Sequence, residues 1–303
     1  MNKPTLLILA AGMGSRYGGL KQLDGVGPDG ETIMDYSVYD SLKSGFGKVV
    51  FVIRKSFSHQ FIKRAEKLYG RFCSDLAFVE QEPDNLPEGF SVPSTRIKPW
   101  GTGHAVLVAA GEISTPFAAI NADDFYGRGS FQKIQGFLSQ VDLIRGNFCM
   151  VGFRASNTLS PSGSVSRGVC SVDRESMLIS VEEHHNIKEE NGIIRGEKSP
   201  GENRVISPET AVSMNMWGFT PDIFEKAETL FREFLVKNKG NDKAEFYIPS
   251  VVDSLLKSGD ATCKVLTTDE KWFGVTYKED REEVSGRLRS LTAEGHYPSP
   301  LFL

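Results

Sequence analysis

Short apolar runs alternate with helix-period stripes through the first half of the chain. Leu6 to Ala10 is an unbroken apolar run, of the length and type that makes a strand buried on both faces. Lys48 to Ile53, Asp75 to Val79 and Pro116 to Ile120 read as three further strands of the same kind. Between them lie amphipathic stretches. Thr32 to Phe46 can place Ile33, Tyr36, Val38, Tyr39 and Leu42 on its apolar side, and Gly45 and Gly47 end it. Ser56 to Tyr69 carries Phe57, Phe61, Ile62, Ala65 and Leu68 on one stripe, with Gly70 as its stop. Gly103 to Ala110, with Thr102 as N-cap, and Gln132 to Val141 predict two more helices, and Asn147 to Arg154 another strand. Strands alternating with helices predict a sheet covered on both faces.

The pattern then changes. Asn157 to Ser166 is rich in Ser, Pro and Gly and reads as a loop. Gly168 to Val172 and Met177 to Glu183 predict a hairpin, and the polar stretch Asn186 to Asn203 an excursion from the fold. Thr210 to Phe219 is a strand whose alternation puts Met214 and Met216 on one face and Asn215 and Trp217 on the other. Likewise, adjacent His184 and His185 point to opposite faces. Thr220-Pro221-Asp222 opens a helix with Ile223, Phe224, Ala227, Leu230, Phe231, Phe234 and Leu235 at core spacing. A helix over Glu245 to Leu256, interrupted by Pro249, a strand over Thr262 to Thr267 and a closing helix over Glu279 to Leu291 follow. The tail carries Pro298 and Pro300 and is expected to dock on the body or on a neighbouring subunit of a homo-oligomer. The expectation is α/β: a Rossmann-like mixed, mostly parallel sheet with helices on both faces, in a single domain over 1–303.

Composition narrows the classes. With 303 residues, 40% hydrophobic and 24% charged, a sizeable core is available. A net charge of -4 without a basic block argues against nucleic-acid binding. The longest apolar runs are strand-sized, so no membrane partner is expected. No cleavable leader is read at Met1-Asn2-Lys3-Pro4, and a cytoplasmic protein is expected. Cys73, Cys149, Cys170 and Cys263 lie far apart with no C-x-x-C, which predicts free buried thiols rather than a zinc or redox site.

Two segments carry candidate chemistry. The first strand opens into Gly12-Met13-Gly14-Ser15-Arg16-Tyr17-Gly18-Gly19-Leu20-Lys21. Glycines let a backbone turn sharply or approach a ligand, loop N–H groups can cup an anion, and Arg16 and Lys21 add two cations. This reads as a phosphate site. It is not a P-loop, lacking Gly-Lys-Ser/Thr, and not a dinucleotide fingerprint, since Tyr17 stands where the third glycine belongs. The second segment is Trp100-Gly101-Thr102-Gly103-His104-Ala105, delivered by a long proline-rich loop. There, helix-start glycines would let a nucleotide approach, while His104 is expected to be oriented by packing.

Leu-Ala-Ala-Gly-x-Gly-Ser-Arg followed closely by Lys resembles the opening signature of sugar-phosphate nucleotidyltransferases. Gly-Thr-Gly-His-Ala resembles the nucleotide segment of the N-acetylglucosamine-1-phosphate uridyltransferases among them. The resemblance covers roughly Thr5 to Leu291. It implies a nucleotide-binding half over about 1–150, an acceptor-binding half over about 151–291 and a tail over 292–303. It implies a nucleotide site at Ala10, Ala11, Gly12, Gly14, Ser15, Gly101 and Thr102, with the family's base-reading glutamine falling near Arg96. Asn121-Ala122-Asp123-Asp124 ends the fourth strand, and Asp123 matches the family's Mg²⁺ ligand. Gly168, Glu183 of Val181-Glu182-Glu183-His184, and Asn215 match residues that contact the sugar, and Trp217 would offer it an apolar wall. The family's second metal ligand is an Asp in Trp-x-Asp-x-Gly or an Asn in Gly-Val-Asn-Asn. Here Gly274-Val275-Thr276-Tyr277 has neither, and Asp280 is the nearby carboxylate.

The implied activity is attack of a sugar 1-phosphate on the α-phosphorus of a nucleoside triphosphate, with release of pyrophosphate. Arg16 would neutralise the leaving phosphates, Lys21 would hold the α-phosphate and the incoming phosphate, and Asp123 would anchor Mg²⁺. A phosphate nucleophile is already ionised at neutral pH, so no general base is required. Two alternatives stand beside it: a cytidylyltransferase for a non-sugar alcohol phosphate, and a non-catalytic nucleotide-sugar-binding regulator, for which Gly274 is the supporting residue.

Overall fold

The computed structural model describes residues 3–12, 24–141, 146–160, 163–275 and 280–303. The first half runs β1 (Thr5–Leu9), α1 (Ile33–Ser44), β2 (Lys48–Ile53), α2 (Ser58–Tyr69), β3 (Leu76–Glu80), α3 (Thr102–Val108), β4 (Phe117–Asn121), β5 (Asp124–Phe125), α4 (Arg128–Leu138) and β6 (Asn147–Arg154). The second runs β7 (Val165–Val172), β8 (Leu178–Glu190), β9 (Ile193–Glu197), β10 (Asn203–Ile206), β11 (Ala211–Phe219), α5 (Ile223–Lys237), α6 (Ile248–Ser258), β12 (Thr262–Thr268), β13 (Phe273–Gly274) and α7 (Asp280–Ala293).

Strands β3, β2, β1 and β4 are parallel neighbours in that order, so their carboxyl ends share one edge. β11 joins β4 antiparallel and carries the sheet onward through β7, β8, β9 and β10, with β6 and β12 branching from it. Apolar residues on both faces of the parallel strands make two cores. One packs β1, β2 and β4 against α1, α2 and α4. The other packs the opposite face against α3, α5 and α6. The mixed sheet with helices on both faces is therefore present. Local chemistry explains the boundaries: Thr32 and Asp35 form a reciprocal capping box at the start of α1, and Gly45 ends it at φ 101°.

Three elements differ from the sequence expectation. The stretch 186–203 is not an excursion: it completes β8 and pairs through β9 and β10, burying Ile187, Ile194 and Ile206 under polar outer faces. Its apolar positions are too sparse to announce strands, but alternation on one covered face suffices. Pro249 does not interrupt a helix; it occupies the first turn of α6, where its missing N–H costs nothing. Thr102 does not cap α3. Gly101 does, and the Thr102 hydroxyl instead accepts the N–H of Ile248 at 3.1 Å.

β11 forks the sheet. It pairs with β7 at Val212 and Ser213 and with β4 from Trp217 to Phe219, and its register to β6 shifts between Ser213 and Trp217. Asn215 sits inside that irregularity at φ 60°, a left-handed conformation asparagine tolerates better than most residues. The tail docks on the body. The Tyr297 hydroxyl donates to Asp40 at 2.6 Å, Arg128 donates to the His296 carbonyl at 3.0 Å, and Tyr297 and Leu301 pack with Ile33, Tyr36 and α7. All four cysteines are buried thiols. Among the described residues, no helix is long and apolar enough to cross a membrane.

Candidate active site

Two cavities meet at the carboxyl edge of the parallel strands, where open α/β sheets collect ligands. The smaller, about 350 Å³, is lined by Leu9, Ala11 and Gly12 after β1, by Gln81 after β3, by Lys98, Pro99, Gly101, Thr102 and Ala105, and by Asn121, Asp123 and Glu245. The larger, about 750 Å³, lies over the fork in β11. Its wall includes Asp124, Arg167, Gly168, Glu183, His185, Asn215, Tyr247, Asp253 and Trp272. Thr102 and Asn121 line both. The adjacent acids thus divide: Asp123 faces the smaller cavity and Asp124 the larger.

A chain of side-chain amides holds the border. The Asn121 amide donates to Asp124 Oδ2 at 2.8 Å, the Asn215 amide donates to Asn121 Oδ1 at 2.7 Å, and the Trp217 indole N–H donates to Asn215 Oδ1 at 3.0 Å. The Tyr126 hydroxyl, whose pKa burial pushes well up, takes the Asn121 N–H and donates to the Met214 carbonyl. It stays a neutral strut. Trp217 is therefore no wall for a ligand: it is 0% exposed, stacked on Phe219 in the core, and acts behind Asn215 by orienting its amide. The irregularity in β11 turns Asn215 to the cavity while Trp217 goes inward.

Gly-Thr-Gly has its own local reason. A Cβ on Gly101 would lie 2.6 Å from the Phe246 carbonyl oxygen, and one on Gly103 2.7 Å from the Phe246 ring. The glycines admit the segment leading into α6, which bonds back through Phe246 N–H to the Trp100 carbonyl. His104 is packed, as its surroundings suggested. It stacks on Phe231, its Nε2–H donates to the Asn85 carbonyl at 2.7 Å, and burial pushes its pKa down to about 4.

Arg96, expected near the base, lines neither cavity. It is 6% exposed, and its guanidinium donates to the carbonyls of Lys98, Pro99, Asp242 and Ala244 while lying over the Trp100 ring. It pins the proline loop to the segment before α6. The side chain at the cavity is Gln81, whose amide hydrogens go to the Gly101 carbonyl at 3.0 Å and His104 Nδ1 at 3.1 Å. That leaves its oxygen as acceptor. Its sequence signal was position: a carboxamide directly after a parallel strand. Ala10 also turns away, with a buried side chain and its N–H spent on the Val52 carbonyl. Gly14, Ser15, Arg16 and Lys21 lie outside the described residues.

Gly168, Glu183 and Asn215 all line the larger cavity. Glu183 has its pKa raised, chiefly by burial, against the pull of His185, Arg167 and His184. His185 lines the same cavity and His184 is buried away from it. Asp280 begins α7 and lines neither cavity, and no cluster of three His, Cys, Asp or Glu exists among the described residues. Gly274 is explained by space. β13 pairs with β5, so a Cβ there would lie 2.9 Å from both the Asp123 carbonyl oxygen and Asp124 Oδ1. The place a side-chain ligand would take at 274 is filled by Asp124.

No family model matches the sequence, and no curated protein matches it. Solved structures do match. One is the inositol-1-phosphate CTP transferase from T. maritima, with a TM-score of 0.63 at 13% identity over 95% of this chain and 97% of that chain. Another is a UDP-glucose pyrophosphorylase complexed with UDP-glucose, with a TM-score of 0.58 at 16% identity over 95% of this chain and 99% of that chain. The chain has the fold of these nucleotidyltransferases.

Proposed function

We propose that the chain is a nucleotidyltransferase that moves a nucleoside monophosphate from a nucleoside triphosphate to a sugar 1-phosphate, releasing pyrophosphate and forming an NDP-sugar. The observation that carries this is the pair of cavities meeting at Thr102 and Asn121, with Asp123 on one side of the junction and Asp124 on the other. Two substrates bound there would meet at a carboxylate-bearing edge, and such chemistry is mainly positioning and charge neutralisation. The smaller cavity takes the nucleotide and the larger the acceptor. Glu183 and Asn215 then accept from and donate to sugar hydroxyls. Asp123 fits a Mg²⁺ bound through one carboxylate and substrate phosphates, the usual habit of that ion, which would lower the repulsion between the reactants. Arg16 and Lys21 are assigned the leaving and incoming phosphates on the resemblance, and a cytoplasmic setting follows from the nucleotide substrates.

A second reading is a cytidylyltransferase for a non-sugar alcohol phosphate, favoured by the likeness to the T. maritima enzyme. One experiment separates them. Pyrophosphate release is measured with Mg²⁺ across UTP, CTP, dTTP, ATP and GTP crossed with several sugar 1-phosphates and inositol 1-phosphate. Release that needs one triphosphate, one acceptor and Asp123 is expected, with Asp123→Ala at least about a hundredfold slower. Binding of a nucleotide sugar without any release would overturn catalysis in favour of a regulator.

A further inference from the structure

We propose that Arg167 is the anion-binding residue of the acceptor cavity, holding an oxyanion carried by the acceptor and so selecting acceptors that present one. This rests on the acceptor reading of the larger cavity. The wall there is acidic, with Asp124, Glu183 and Asp253, and Arg167 is the one permanent cation among the described lining residues. A phosphorylated acceptor entering such a wall meets like charge on three sides. It needs a fixed cation to offset it.

Arg167 is built for that task and is not consumed by another. Its guanidinium lies over the Trp272 ring, 4.4 Å from the ring centre. Nη1 donates to the Ser166 carbonyl at 2.8 Å and Nη2 to the Thr158 carbonyl at 2.6 Å. These are neutral partners that set the plane of the fork and leave one hydrogen on each terminal nitrogen. Among the described residues Nε is buried without any hydrogen-bond partner. Among the described residues no carboxylate reaches ion-pair distance. Asp124 and Glu183 act on Arg167 only through space, while burial lowers its pKa to about 10, so it stays charged at neutral pH. A desolvated guanidinium with its charge unmatched by a contact partner lacks an anion. A pair of oxygens from a tetrahedral phosphate or a planar carboxylate is the group that fits such a fork.

The test uses the full chain and needs no turnover. Trp272 fluorescence is followed while inorganic phosphate, glucose 1-phosphate, glucuronate and, as a neutral control, glucose are titrated at constant ionic strength. A saturable change with at least one oxyanion and none with glucose is expected, lost in Trp272→Phe. Response to phosphate and glucose 1-phosphate assigns the oxyanion to the acceptor's phosphate, and response to glucuronate alone to a carboxylate substituent. Arg167→Gln, checked by its melting temperature, should weaken that binding at least about tenfold, because charge-assisted hydrogen bonds are lost. Arg167→Lys keeps the charge without the fork and should fall between. Wild-type protein that titrates with no oxyanion, or folded Arg167 variants that titrate like wild type, would overturn the proposal. Arg167-dependent anion binding in a protein that releases no pyrophosphate from any substrate pair would leave it standing and sink the transferase reading alone.

Discussion

Gly274→Ala adds one carbon at the seam between the two cavities. Its Cβ would lie 2.9 Å from the Asp123 carbonyl oxygen, 2.9 Å from Asp124 Oδ1 and 3.1 Å from Trp272 Cζ2. The first of these is main chain and cannot rotate aside. The second belongs to a carboxylate already held by the Asn121 amide. Relief therefore comes from moving β13 off β5, a two-residue pairing backed by the stacking of Phe273 on Phe125. Overpacking of this kind costs about 1–3 kcal/mol. In a chain of this size each kcal/mol lowers the melting temperature by about 2 °C, so a fall of about 2–6 °C is expected. The chemical effect should be larger. Both acids shift together, and displacements approaching 1 Å cost up to about a hundredfold in rate. Thermal melting and pyrophosphate release on the same preparation read the two effects. Gly274→Asp, which introduces the carboxylate of the Trp-x-Asp-x-Gly pattern that the sequence departs from, should lose activity here rather than gain it. A Gly274→Ala protein that melts with the wild type and keeps full activity would refute the assigned contact and the reason given for the glycine.

Arg96→Lys should lower the melting temperature by several degrees, since four carbonyls and the Trp100 ring lose a buried fork, yet leave the choice of nucleoside triphosphate unchanged; a changed base preference would return Arg96 to the nucleotide site. Trp217→Phe removes the indole N–H behind Asn215 and should raise the acceptor KM about threefold to tenfold with the triphosphate KM unaffected; equal effects on both substrates would count against the amide chain. Burial pushes the Asp40 carboxyl up to about 6 against the hydrogen bonds of Tyr297 and Arg128. The folded chain therefore binds this proton more tightly than the unfolded chain, whose aspartates titrate near about 3.9. Stability from this group falls as pH rises from about 4 to about 6 and stays reduced above. Asp40→Asn should accordingly gain on the wild type across that window, by up to about 3 kcal/mol between its ends, read as the difference in melting temperature at pH 4 and pH 7.5; a pH-independent difference would show that Asp40 does not titrate there.

The parallel half was legible because each strand is a continuous apolar run and α1 and α2 each have a stripe and a glycine stop. Lys48–Ile53 and Asn147–Arg154 fall where the pattern put them. The antiparallel half was less so. β9 and β10 bury only alternate residues, and their charged outer faces hide the period. The site divided along the same line. Residues set by backbone position, such as Gly12, Asp123, Gly168 and Glu183, lie on the cavity walls. Trp217 and Arg96, whose side chains could point two ways, do not. Trp217 follows strand alternation only up to the irregularity at Asn215, and no local pattern announces a left-handed asparagine. Gln81 rather than Arg96 lines the smaller cavity because the proline loop folds back, a tertiary fact that spacing from the Gly-Thr-Gly segment does not carry.

The border between the cavities explains why these two halves belong in one sheet. Asn121 closes a parallel strand, Asn215 sits where an antiparallel strand leaves its neighbours, and their amides join across the fork. The hydrogen-bonded chain ends on Asp124 at one end and on a fully buried indole at the other. Moving either half would therefore break a half-buried, fully directed set of hydrogen bonds. Asp124, after β4, is held at a defined place relative to both cavities by strands contributed from each half. The proposed in-line transfer would require rigid placement at that seam, and it would leave adjustment to the cavity walls farther out, which Gln81 and Arg167 line.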